Sequence, residues 1–258
     1  MKSFGDIQGI LLVITNCNNI NTFGGQNMVN WMELFDAWQN DCKIKVFVLD
    51  GVTEKSTYFD EKIKVLFLLK DLNLVDKSSV NEKGQVDMRK GCFDKEDWRT
   101  WNGVALWGKA FTLEAGPTFE KFKDSVMFRE KYLPKISFMN IKKEAGKERV
   151  SNKEIKAYSM DCVNRKYLLE EVRCLEPDII ITCGTFEAAK IIFGAEDDLI
   201  SAIELENGGW RKTIRWFKVN DLLDVNKTVY VVEYRHPCMA SYKKCYGDMY
   251  DIKSYFGF

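Results

Sequence analysis

Apolar residues Met28, Trp31, Met32, Leu34, Phe35 and Trp38 recur every three to four positions, so the spacing predicts an amphipathic helix over roughly 28–41. The runs "KIKVFVLDGV" (43–52) and "KIKVLFLLKD" (62–71) read as strands, the second apolar enough for the middle of a sheet covered on both faces. A second helical stripe joins Trp98, Trp101, Val104, Ala105, Gly108 and Phe111, and "KISFMN" (135–140) is a further strand. Segment 152–176 carries Met160, Val163, Tyr167, Leu168, Val172 and Leu175 on one helical face, and Pro177 stops it. In "DIIITCGTFEAAKIIFG" (178–194) a buried strand turns tightly at Gly184, Thr185 is the expected N-cap, and Gly194 closes a short helix. A hairpin is expected to turn at Asn207–Gly209, and "TVYVVEY" (228–234) supplies the last strand. Strands alternating with helices imply an α/β fold: a three-layer α/β/α sandwich with a central, mainly parallel sheet. Residues 1–60 are expected to be an N-terminal elaboration packed on the core, and 61–258 the α/β domain.

Charge changes the picture by subtraction. The 38 basic and 38 acidic side chains cancel, so no global field draws the chain to nucleic acid or anionic lipid, and any such contact must be local. Eight cysteines without a CxxC pair or a cluster with histidine exclude the usual zinc and most iron–sulfur spacings. They read as reduced thiols of a cytoplasmic protein. The run Ile10–Thr15 is too short to span a bilayer and lacks a signal-peptide cleavage site, so no membrane partner is expected. We expect a monomer with no metal and no cofactor.

Candidate chemistry follows from the layout. In open parallel sheets, functional groups gather at the carboxyl ends of the strands, where the loops converge. Three polar residues occupy such ends: Asp71, Asn140 and His236, the only histidine in the chain. Each has a plain structural alternative. An acid after a strand often caps the next turn, an asparagine there does the same, and a lone histidine is often structural. For Trp98, Trp101 and Trp107, core packing is the better reading than stacking on a base. Lys142, Lys143, Lys147, Arg149, Lys243 and Lys244 are basic groups beside two of these strand ends, read either as solvated faces or as phosphate contacts.

The ordered segments "VLFLLKDLN" (65–73), "ISFMNIKK" (136–143), "EPDIIITCGTFEAAKIIFG" (176–194) and "VVEYRHPCMASY" (231–242) resemble the uracil-DNA glycosylase superfamily. The resemblance covers roughly 62–242. It implies that Asp71 positions the attacking water and offsets the cationic charge on the sugar, that Asn140 reads the edge of an extruded base, and that His236 bonds the base carbonyl as negative charge builds. Met239 is the nearest counterpart of the wedge that fills the vacated stack. Lys70, Asn73, Phe93, Gly184 and Thr185 are the expected substrate contacts, Phe93 as a stacking residue. Lys142, Lys143, Arg235, Met239, Ser241 and Lys243 are the expected DNA contacts.

Departures from the pattern shape the expected substrate. Leu72 stands where the motif has proline, and Cys238 replaces a serine that would bond phosphate. Asn73 stands where strict uracil enzymes place a tyrosine against the 5-methyl group, so a C5-modified pyrimidine, including hypermodified phage cytosine, becomes admissible. The expectation is a monofunctional DNA glycosylase, serving repair or antiviral defence, that flips a pyrimidine and leaves an abasic site. The chemistry agrees: breaking an N-glycosidic bond needs a negative group beside the sugar and donors beside the base. The alternatives are a non-catalytic module that senses modified DNA and a nucleotide- or nucleoside-acting α/β enzyme. The absence of GxxxxGK[ST] and GxGxxG loops counts against the last.

Overall fold

The computed structural model describes residues 31–53, 56–72, 79–93, 98–121, 124–145, 150–207, 210–220, 222, 227–239 and 241–258. Asn73, Lys147, Arg149 and the turn residues 208–209 lie outside them, as does the side chain of Met239.

Six strands form the central sheet: β2 (Val65–Asp71), β4 (Ser137–Lys142), β5 (Ile179–Cys183), β6 (Ser201–Asn207), β7 (Trp210–Val219) and β8 (Val229–Tyr234). Their order is β4-β2-β5-β8-β7-β6. The first four are mutually parallel and β7 and β6 extend the sheet antiparallel, so the sheet is mainly parallel. Val65–Leu69 and Ile179–Cys183 are buried on both faces, which is why they read as continuous apolar runs rather than alternating ones. Chain order runs outward from β2 to β4, then jumps back across β2 to β5. The switch point of the parallel part therefore lies between the carboxyl ends of β2 and β5.

Helices cover both faces. Val65, Phe67 and Leu69 of β2 share one apolar cluster with α3 (Arg99–Phe111), Tyr132 of α4 (Ser125–Tyr132) and α8 (Tyr242–Tyr255). Leu66 and Leu68 point the other way, into a cluster with α1 (Trp31–Asp41), α5 (Asn152–Met160), α6 (Cys162–Leu175) and α7 (Phe186–Phe193). Each fully buried leucine or phenylalanine stabilises this sandwich by about 1.5–3 kcal/mol. Trp101 and Trp107 are buried in the first cluster, so their stripe is core.

A short strand, β1 (Phe47–Leu49), pairs in parallel with β3 (Gln85–Asp87), which runs into the one-turn α2 (Met88–Gly91). The same segment hems the open edge of β4: Val48 N–H donates to Lys143 C=O at 2.8 Å, and Gly51 and Phe138 exchange both backbone bonds. Gly51 has φ +104°, a conformation that glycine adopts without penalty.

Two local expectations are corrected. The helix expected over 152–176 is broken at Asp161, whose extended backbone ends α5 and whose carboxylate then caps α6 by accepting from Asn164 N–H. Met160 and Val163 flank that break and are exposed, not core. Thr185 takes the N-cap position of α7 as expected, but its hydroxyl makes no cap bond; it donates to Leu68 C=O at 2.7 Å, a contact across 117 residues that ties the turn to β2. Gly184 and Gly194 do take the left-handed conformations expected of them, with φ +75° and +68°.

Candidate active site

Four strands deliver polar residues to one rim of the sheet. In register, Leu69 lies beside Asn140 and Asp71 beside Lys142, so Asp71, Asn140 and Lys142 occupy the same face; Asp71 and Lys142 end β2 and β4, whereas β4 runs two residues past Asn140, which was expected to end it. Lys70 points to the opposite face. Its Nζ donates to Asn152 Oδ1 at 2.8 Å, and its Cε stands 3.7 Å from where a Cβ on Gly184 would be. The same hypothetical Cβ lies 3.9 Å from the backbone nitrogen of His236, so β2, β5 and the loop after β8 converge on Gly184. Gly184 N–H is taken by Tyr234 C=O at 2.8 Å, which fixes this junction.

Asp71 is half-buried, and its Oδ2 is buried with no hydrogen-bond partner among the described residues. Burial raises its carboxyl above the usual range; Lys142 and Lys70 pull it back and Glu154 adds to the rise. A carboxylate so deprived of water is a stronger base and a stronger counter-charge than an exposed one.

His236 opens the 3-10 turn Pro237–Met239. Cys238 N–H donates to its Nδ1 at 3.4 Å and Cys238 Sγ lies 3.0 Å from the same atom. A backbone N–H can only donate, so Nδ1 is an acceptor and the proton of the neutral ring sits on Nε2. Burial, and then the Lys70 charge, lower the imidazole below its ordinary value, which favours that neutral form. The turn rests on α3: a Cβ on Gly103 would stand 2.9 Å from both Pro237 Cβ and Pro237 O. Cys238 therefore sets the tautomer of the histidine, a role the serine-to-cysteine departure did not reveal.

Asn140 is buried. Its backbone N–H and its Nδ2 both donate to Asp50 Oδ2, at 2.7 and 3.0 Å, and no described residue donates to its Oδ1. Asp50 in turn accepts from Lys143 Nζ, which also bonds Glu171 at 2.7–2.9 Å. Asp50, Lys143 and Glu171 are almost wholly inaccessible. Lys143 is thus no DNA contact: its ammonium is held between two acids and over the rings of Phe35 and Trp38, at 5.4 and 5.3 Å. A basic pair next to a motif suggested a charged face, but the hem of β1 on β4 folds the second lysine inward. Asp50 was missed although "VFVLDG" has the apolar-run-then-acid signature that singled out Asp71.

The remaining expected contacts divide. Arg235, Ser241 and Lys243 are exposed, Ser241 at the start of α8 without a side-chain cap bond, and Lys142 is partly covered 3.9 Å from Glu144. Phe93 packs partly buried against the first apolar cluster, and its carbonyl accepts from Arg129 at 3.3 Å. Among the described residues, no group of three or more His, Cys, Asp or Glu side chains could hold a metal, and no helix is long and apolar enough to cross a membrane.

Asp71, Asn140 and His236 make no hydrogen bond with one another among the described residues. They are arrayed along the rim, with β4 and β8 three strand spacings apart, about 14 Å. No protein-family model matches the chain, and a search of curated proteins finds no significant relative.

Proposed function

We propose that the chain is a monofunctional DNA glycosylase that hydrolyses the N-glycosidic bond of an everted pyrimidine, uracil or a C5-modified base, in the manner of the superfamily its motifs resemble. One observation carries the reading: across the switch point of a parallel sheet, a carboxylate whose buried oxygen has no partner among the described residues ends a strand on the same rim as a neutral imidazole that has Nε2–H to donate.

Such a pair suits a bond that separates charge. As C1′–N1 breaks, its electron pair leaves with the base and the sugar becomes cationic. Asp71 offsets that cation and takes a proton from the water whose oxygen bonds C1′. His236 donates Nε2–H to the base carbonyl on which the negative charge collects, and Lys70 adds positive potential beside it. Asn140 pairs with the polar edge of the base. The products are free base and an abasic sugar, with water the only co-reactant. Each well-aimed donor of this kind contributes about 2.7–4 kcal/mol to lowering the barrier.

The experiment is release of free base from a panel of DNAs containing uracil, thymine, cytosine or hypermodified cytosine. Wild type is expected to release at least one, and Asp71→Asn, which preserves shape but removes the charge, to slow that release by about 10²–10³-fold. Salt-sensitive DNA binding with no release from any substrate would instead favour the DNA-sensing module, and an unimpaired Asp71→Asn would refute the assignment of the carboxylate.

A further inference from the structure

The buried acids and lysine behind β4 have no part in the reaction as drawn, yet they end on one of its residues. We propose that Asp50 is a positioning residue that fixes the Asn140 carboxamide in one flip and one rotamer, so that a single donor–acceptor edge faces the base. The inference rests on the reading of Asn140 as the residue that recognises the base.

The stereochemistry is specific. One oxygen, Asp50 Oδ2, accepts both the backbone N–H of Asn140 and its Nδ2. To reach both it must lie on the Cβ side of the amide, where it takes the Nδ2 hydrogen that points back toward Cβ. The other hydrogen, syn to Oδ1, makes no bond to a described residue, and no described residue donates to Oδ1. An asparagine left alone exchanges its oxygen and nitrogen by a half-turn at little cost; here the reversed flip would bring Oδ1 against a carboxylate oxygen. That remaining pair, one acceptor and one donor, matches the N3–H with a carbonyl of uracil and the amino group with N3 of cytosine. It thus admits pyrimidines on either side of the uracil–cytosine divide and leaves the choice to groups nearer C5.

Lys143 holds the device in place. It bonds Asp50 Oδ1 from the side opposite Asn140, so the carboxylate is gripped at both oxygens and cannot rotate. Glu171 lies on the far side of the ammonium, and burial raises its carboxyl well above the usual range. An amide in place of the Asp50 carboxylate would break this arrangement: its single oxygen can serve Asn140 or Lys143, and its NH2 must face the other donor.

Two measurements test the proposal. Solvent exchange of the Asn140 side-chain NH2, assigned by NMR from the signal missing in Asn140→Ser, is expected to be at least about tenfold slower than in exposed asparagines, as a charge-assisted bond requires. In Asp50→Asn that protection is expected to vanish. Base release is expected to fall about 10²-fold in kcat, because the reading group is misplaced, while KM, set by backbone contacts to DNA, stays put. Asn164→Ala, which cuts the buried Trp38–Asn164 bond on the same side of the sheet, loses stability without touching Asn140 and is expected to keep its rate. Fast exchange in wild type, or a folded Asp50→Asn that keeps its protection or its rate, overturns the proposal. If Asp50→Asn does not fold, the wild-type NH2 shifts decide: one proton moved downfield by the carboxylate supports the bond, and two protons at ordinary amide shifts overturn it. Protection that is present in wild type and lost in Asp50→Asn, in a protein that releases no base, would sink the glycosylase reading and leave the positioning role standing.

Discussion

At the scale of single residues, the two titrating groups of the rim are shifted in opposite senses, and both shifts bear on the acid side of neutrality. In the proposed reaction Asp71 must be ionised, and burial raises it above its ordinary 3.8. His236 must be neutral, with Nδ1 free to accept from Cys238, and burial beside Lys70 lowers it below 6.5. Base release is therefore expected to be flat from pH 7 to 8 and to fall on acidification between about 6.5 and 4, one limb replacing the usual bell. A rate that rises as pH drops would show instead that His236 works as a cation. The lowered imidazole also makes a contribution to folding that is fully present above its unfolded value and is lost as pH falls through the lower folded one. That Asp71, Asn140 and His236 lie toward the carboxyl ends of parallel strands was legible in the sequence, because each follows an apolar run. Asp50, Cys238 and the inward turn of Lys143 were not, since each is defined by a partner that no local pattern names.

At the scale of elements, the His236 turn is positioned by α3 rather than by its own strand alone. Gly103→Ala would put a methyl group 2.9 Å from Pro237 Cβ and O, where backbone must move. The expected cost is about 1–3 kcal/mol of stability with a shifted imidazole, read as a lower melting temperature together with a reduced rate. Gly103→Ala with unchanged activity would show that the turn holds itself. The strands and most helices were legible because buried parallel strands leave unbroken apolar runs and surface helices leave stripes of period 3.6. The break at Asp161 was not, because the apolar period runs on across it while the chain direction changes. The hydroxyl of Thr185 went astray for a similar reason: a local rule assigned it to a cap, but a carbonyl 117 residues away claimed it. The sheet order, with its switch point between β2 and β5, follows from pairing that no single segment specifies.

For the whole molecule, a formal charge of zero means that any grip on DNA depends on where cations lie, not on how many there are. Arg235 and Lys243 are exposed near the His236 turn and Lys142 lies beside Asp71, whereas Lys143 is sealed in the core. Fluorescence anisotropy across a salt series is expected to show that Arg235→Ala or Lys243→Ala lowers the slope of log K against log salt by about 1 each. Lys143→Met is expected to leave that slope alone. An unchanged slope in the first two would move the DNA path to another face. The hem of β1 along β4 has a temporal corollary. Asp50 is synthesised 93 residues before the lysine that neutralises it, an interval of roughly 5–20 s at ribosomal speeds of about 5–20 residues per second. Throughout that wait the nascent carboxylate has neither ammonium nor asparagine to bind, so it stays hydrated, and its burial must follow the synthesis of β4.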